Sequence, residues 1–148
     1  MIGYTDTQTF DAWANARGFM IKGSSSELLT QALDWLELQQ FAGSKTDAAQ
    51  PNQWPRTGVV IDGVSVPSDT VPQQVIDLQM RVAADIDAGM DPSGQRKAAK
   101  ASVAVVGAVA VTYEKGSTDS AISVQAQALL TKLRGNGFGF NQFEVRRG

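Results

Sequence analysis

The sequence predicts a mainly α fold, a small bundle of about four helices with a β-hairpin, a short strand region and an extended C-terminal tail. Three observations carry this reading. Separate stretches place apolar residues at helical spacing, each bounded by capping or breaking residues. Asp62-Gly63 lies between two Val-rich arms, where a tight turn needs positive φ that Asp and Gly tolerate. The stretch from Gly135 to Gly148 is punctuated by glycine, which prevents a helix, yet it carries three phenylalanines. Residues 1–134 therefore read as one helical domain, with the hairpin near 59–67 and strands near 101–113, and residues 135–148 as the tail.

In chain order, Thr5 and Gln8 have capping-box spacing, and Phe10, Trp13, Ala14 and Arg17 then recur at helical intervals before Gly18. Ser24 and Glu27 repeat the signal ahead of a second helix with Leu28, Leu29, Ala32, Leu33, Trp35 and Leu36. Residues 43–53 are polar and aperiodic, as in a surface loop. Val71-Pro72 opens a third helix, with Pro72 at the first helical position and Gly89 at the end. That helix carries two apolar stripes. Val75, Leu78, Val82 and Ile86 form one, and Ile76, Met80, Ala83 and Ala84 the other. The second stripe is read either as a face for a neighbouring subunit or as part of the helix's own core. Val103, Val105, Gly107, Val109, Val111 and Tyr113 alternate with small residues, as in strands bent at Gly107. A fourth helix is expected from about Thr118, with Ile122, Ala126, Leu129 and Leu133 inward and Gly135 as its cap.

Composition limits the chemistry. The 148 residues contain neither cysteine nor histidine, which removes thiolate nucleophiles, disulfides, Cys-based zinc sites and Ser-His-Asp triads. A net charge of -2 supplies no global field for holding a polyanion. Met1 to Thr9 lacks the basic-then-apolar order of a secretory signal, so synthesis in a cytoplasm is expected. The apolar run from Ala101 to Val111 falls short of the about 20 residues a membrane helix needs.

The remaining constellations are weak. Asp85, Asp87 and Asp91 lack the glutamate of a calcium loop and read as a solvated helix end. Gly135, Gly137 and Gly139 follow a helix rather than a strand, unlike a phosphate loop. Tyr113, Glu114 and Lys115 have no spacing that demands acid-base chemistry. No catalytic residue, metal site or cofactor is expected, and the chain does not read as an enzyme. Arg96, Lys97 and Lys100, with Arg146 and Arg147, are basic clusters suited to phosphates or simply to solvent, and no aromatic residue interleaves with them.

The order of features resembles the small head-to-tail adaptor (connector) proteins of tailed phages, some of which are labelled primosome-like single-stranded-DNA-binding proteins. The resemblance rests on Trp54 to Gly58, Pro67 to Pro72 and Gly107 to Tyr113. It implies a structural virion protein of the bacteriophage neck, assembled in the host cytoplasm. Its partners would be further copies in a dodecamer ring, the portal protein, and a tail-side stopper or tail completion protein, with DNA passing the channel without specific binding. Trp54, Pro55 and Arg56 would form a fixed structural corner, and Ile76, Met80, Ala83 and Ala84 a subunit or ring interface. Phe138, Phe140, Phe143, Val145, Arg146 and Arg147 would form a partner-binding tail. The alternative function is a single-stranded-DNA-binding module, whose affinity falls steeply with salt.

Overall fold

The computed structural model describes residues 1–92 and 122–135. Its helices are α1 (Thr7–Ala16), α2 (Ser25–Leu36), α3 (Gln73–Asp87) and α4 (Val124–Arg134). Between α2 and α3 lie two small antiparallel sheets, β1 (Ser44–Lys45) with β2 (Arg56–Thr57), and β3 (Val60–Ile61) with β4 (Val64–Ser65). The protein is thus the small, mainly α domain that the apolar periodicity predicts. The expected strands near 101–113, the basic cluster of Arg96, Lys97 and Lys100, and the tail residues Phe138, Phe140, Phe143, Val145, Arg146 and Arg147 lie outside the described residues.

Helix α3 is the centre of the bundle and packs against α1, α2 and α4. It can do so because both of its apolar stripes point inward. Val75, Leu78 and Val82 are fully buried, and so are Met80 and Ala83, with Ala84 nearly so. Ile76 is half-buried against the same core. The stripe that might have faced a neighbour is therefore taken up within the chain's own core. Phe10, Leu29, Leu36, Leu78 and Leu133 complete the interior. Burying side chains of this size contributes about 1.5–3 kcal/mol each before the entropy of ordering them is subtracted. No helix among the described residues is long and apolar enough to cross a membrane.

A buried amide locks this core to the N-terminus. Gln79, fully enclosed, accepts from the Tyr4 N–H at 3.0 Å and donates to the carbonyls of Ile2 at 2.9 Å and Leu29 at 3.0 Å. Its oxygen and both N–H groups are thereby used, which is the condition for burying an amide without a large cost.

The helix ends show where sequence reasoning holds and where it slips. Ser24 caps α2 as expected, accepting from the Glu27 N–H. Asp6, not Thr5, caps α1, accepting from the Thr9 N–H at 2.8 Å, because Thr5 is buried with its hydroxyl against Met80 Sδ. Pro72 is the N-cap residue of α3 rather than its first helical residue. Helix α4 begins after Ser123, later than the expected Thr118; Ile122, Ala126 and Leu133 are buried as expected, Leu129 packs half-buried against the core, and Leu130 is buried in addition.

The hairpin follows the Asp-Gly signal. Asp62 has φ +53° and Gly63 φ +81°, and the register pairs Val60 with Ser65 and Ile61 with Val64. Alternation then buries Val59 and Ile61 and leaves Val60 and Val64 exposed. The polar stretch 43–53, expected as a plain loop, donates Ser44–Lys45 to a ladder with Arg56–Thr57. Gly43 makes this possible. At φ +74° it lies so close to the Thr57 carbonyl that any side chain would collide with it.

Candidate nucleic-acid interface

Helix α1 ends in a turn that builds a surface cluster. The N–H of Arg17 and that of Phe19 both return to the Ala14 carbonyl, at 3.0 and 2.9 Å, while Gly18 adopts φ +76°. This reversal folds Phe19 back over the helix end, so that its ring lies 5.7 Å from that of Trp13. Phe10 stacks beneath Trp13 from the core side, with ring centroids 6.1 Å apart. Trp13 and Phe19 stay half-buried.

Two guanidinium groups converge on these rings. Arg17, one turn after Trp13, donates to the Trp13 carbonyl at 3.0 Å and lies 4.6 Å from the indole centroid. Arg81, from α3, lies 5.1 Å from the Trp13 centroid and 5.4 Å from that of Phe19. Among the described residues neither arginine makes an ion pair. The cluster thus combines aromatic rings with positive charge, the two components that hold single-stranded nucleic acid by stacking and phosphate attraction. Beside it opens a cleft of about 480 Å³ lined by Asp11, Asn15, Phe19, Met20, Ile21 and Ser25. Phe19 belongs to both features.

The basic clusters that lack interleaved aromatic residues in the sequence lie outside the described residues, and the fold brings aromatic and basic side chains together at a different place. Arg81 lies 68 positions from Trp13 in sequence and reaches it only because α1 packs on α3. The Trp13 and Arg17 spacing was visible on a helical stripe, but it reads there as ordinary amphipathic patterning. The signal that could have separated them is an arginine placed one turn after a tryptophan, at a helix end where both remain partly exposed.

The Trp54-Pro55-Arg56 segment lies elsewhere and has inward geometry. The Trp54-Pro55 peptide bond is cis, and Trp54 packs edge-on to Phe41 at 5.3 Å. Arg56 is buried, and its three shortest hydrogen bonds run to the Ala42 carbonyl at 2.7 Å, Gln53 Oε1 at 2.7 Å and the Gly43 carbonyl at 2.8 Å. Longer contacts reach the carbonyls of Gln53 and Phe41. Burial pulls the guanidinium pKa down from its usual value, with Tyr4 and Glu37 opposing the shift. Its donors are occupied by groups of the same chain, so none is left to clamp a phosphate. Next to this corner, the Tyr4 hydroxyl donates to Glu37, whose other oxygen accepts from the Gln53 N–H at 2.7 Å. Burial and the adjacent carboxylate push the Tyr4 pKa far upward.

The carboxylates at the end of α3 are not a solvated helix end, as the sequence suggested. Asp85 is buried and accepts from the Ser123 N–H at 2.9 Å, tying α4 to α3. Burial raises its pKa, an effect that the Ser123 contacts and Arg81 oppose. Asp87 accepts from the Lys22 and Gly23 N–H groups at 3.0 and 2.9 Å, holding the link between α1 and α2. These side chains point to different segments, and no group of acidic side chains suited to a metal occurs among the described residues.

The described residues thus form a mainly helical domain that carries a cluster of aromatic rings and guanidinium groups on its surface. The chain belongs to the family described as "Putative DnaT-like ssDNA binding protein", whose model matches residues 3–148. No curated protein and no solved structure matches it. The family description agrees with the single-stranded-DNA label carried by some of the proteins that the sequence resembles. It also overturns the expected adaptor function, since a DNA-binding family over nearly the whole chain supports no connector, portal or virion role.

Proposed function

We propose that this protein binds single-stranded DNA through the surface formed by Trp13, Arg17, Phe19 and Arg81, and that binding without catalysis is its activity. The observation that carries the reading is the convergence of two arginines on Trp13, in a chain whose family is described by single-stranded-DNA binding. Bases would stack on the exposed ring parts while the guanidinium groups hold flanking phosphates. Because the net charge is -2, attraction must be local to this face, and affinity is expected to be modest and strongly salt-dependent.

The test is fluorescence anisotropy of a labelled mixed-sequence single strand titrated with the full chain at low salt. The reading expects saturable binding, weaker binding to the matching duplex, and quenching of tryptophan emission. No binding at low salt, or a preference for duplex, would overturn it.

A further inference from the structure

The cleft beside the aromatic surface has the means to distinguish bases. We infer that it receives one nucleobase carrying an exocyclic amine, in preference to thymine, with Asp11 and Asn15 reading the base edge. This rests on the single-strand reading above and specifies which bases that same face prefers.

The cleft volume of about 480 Å³ falls within the roughly 300–1,000 Å³ of small-ligand sites. Phe19 lines the cleft and also lies 5.7 Å from the Trp13 ring and 5.4 Å from the Arg81 guanidinium, so the cleft and the aromatic cluster share a residue. Ile21 adds apolar surface, and Met20, 83% exposed, stands at the rim as an adaptable apolar side chain. Asp11 and Asn15 are one turn apart on α1 and therefore share a helix face. Asp11 Oδ1 accepts from the Ser25 hydroxyl at 2.6 Å, which fixes the carboxylate and leaves Oδ2 to accept from a ligand. Asn15 supplies an amide that can both donate and accept.

An acceptor beside an amide matches the donor and acceptor edge of cytosine, and likewise the amine-bearing edges of adenine and guanine. Thymine presents one N–H between two carbonyl oxygens, and a carboxylate facing it meets repulsion from both sides. Cytosine and thymine share a ring size, so their stacking on Phe19 nearly cancels in a comparison.

The experiment measures binding of all-cytosine and all-thymine single strands of equal length to the full chain and to its Asp11→Asn and Asn15→Ala variants. The parent is expected to favour the cytosine strand by roughly five- to tenfold, the lower part of the range for good base contacts. Asp11→Asn should bring the two strands close to parity, weakening the cytosine strand's advantage and relieving the repulsion of thymine, and Asn15→Ala should narrow the gap. Equal binding of both strands by the parent overturns the inference and leaves the single-strand reading standing. A preference that survives both substitutions does the same. Failure to bind either strand overturns the single-strand reading itself, and this inference with it.

Discussion

Replacing Arg56 with lysine tests whether this arginine belongs to the fold rather than to the proposed DNA-binding surface. Arg56 makes three short hydrogen bonds, to Ala42, Gly43 and Gln53, in the fixed fork of a guanidinium. Lysine keeps the charge but offers a single nitrogen, which cannot span these acceptors. With about 1 kcal/mol net per bond and one of the three retained, the loss is about 2 kcal/mol. The ring contacts with Phe41 and Trp54, at 6.0 and 5.9 Å, lie at the outer limit for cation-π attraction and add nothing to this figure. For a chain of this length the melting temperature would fall by roughly 4–8 °C. Urea unfolding followed by tryptophan fluorescence reads the change, with an unchanged denaturant slope showing that only stability moved. DNA affinity of the folded variant is expected to equal that of the parent. A stability within about 0.5 kcal/mol of the parent, the range of an ordinary surface substitution, would refute the reasoning, and doubly so if DNA binding fell instead.

Gln79→Leu leaves the Tyr4 N–H and the Ile2 carbonyl without their buried partner, and about 2–3 kcal/mol of stability is expected to go, read by the same urea titration. Asp85 tests pH. Its folded pKa is raised by burial, so the folded state binds protons more readily than the unfolded chain, and this group's contribution is greatest below the unfolded value of 3.8 and declines as pH rises through the folded value. Asp85→Asn keeps an acceptor for Ser123 and removes that titration. The parent is therefore expected to lose stability relative to the variant as pH rises above the unfolded value of 3.8, and a gap that closes with rising pH would contradict burial as the dominant cause. Ala for Gly43 is expected to be destabilising by about 1–3 kcal/mol, since its Cβ would meet the Thr57 carbonyl at a positive φ. Equal thermal midpoints for the Gly43→Ala variant and the parent would show that the ladder between β1 and β2 is not held by that approach.

The elements that sequence reasoning recovered are those fixed by neighbouring residues. Ser24 caps α2 by a hydrogen bond three residues away, and Asp62-Gly63 closes its hairpin with its own backbone angles. Gly135 stops α4 with φ +86°. What stayed hidden depends on partners distant in sequence. Thr5 loses the capping role to Asp6 because α3 buries it beside Met80. Two apolar stripes on α3 could mean an interface or a deeper core, and only the positions of α1, α2 and α4 decide for the core. Asp85 looks like a solvated carboxylate until α4 folds over it. The proposed binding surface was least legible of all. Trp13 and Arg17 are close in sequence, but Phe19 joins them through the turn at Gly18 and Arg81 through the packing of α3.

The central claim concerns that surface, and the salt dependence of single-strand binding tests it most directly. Each arginine that contacts a phosphate adds about one to the slope of log affinity against log salt. The Arg17→Ala, Arg81→Ala double variant is therefore predicted to lower the slope by about two and to weaken binding at low salt. Trp13→Ala is predicted to weaken binding roughly 5- to 150-fold, the range for one stacked base, with the slope unchanged. A double variant that keeps both the slope and the affinity of the parent would place the DNA on another part of the chain and contradict the account.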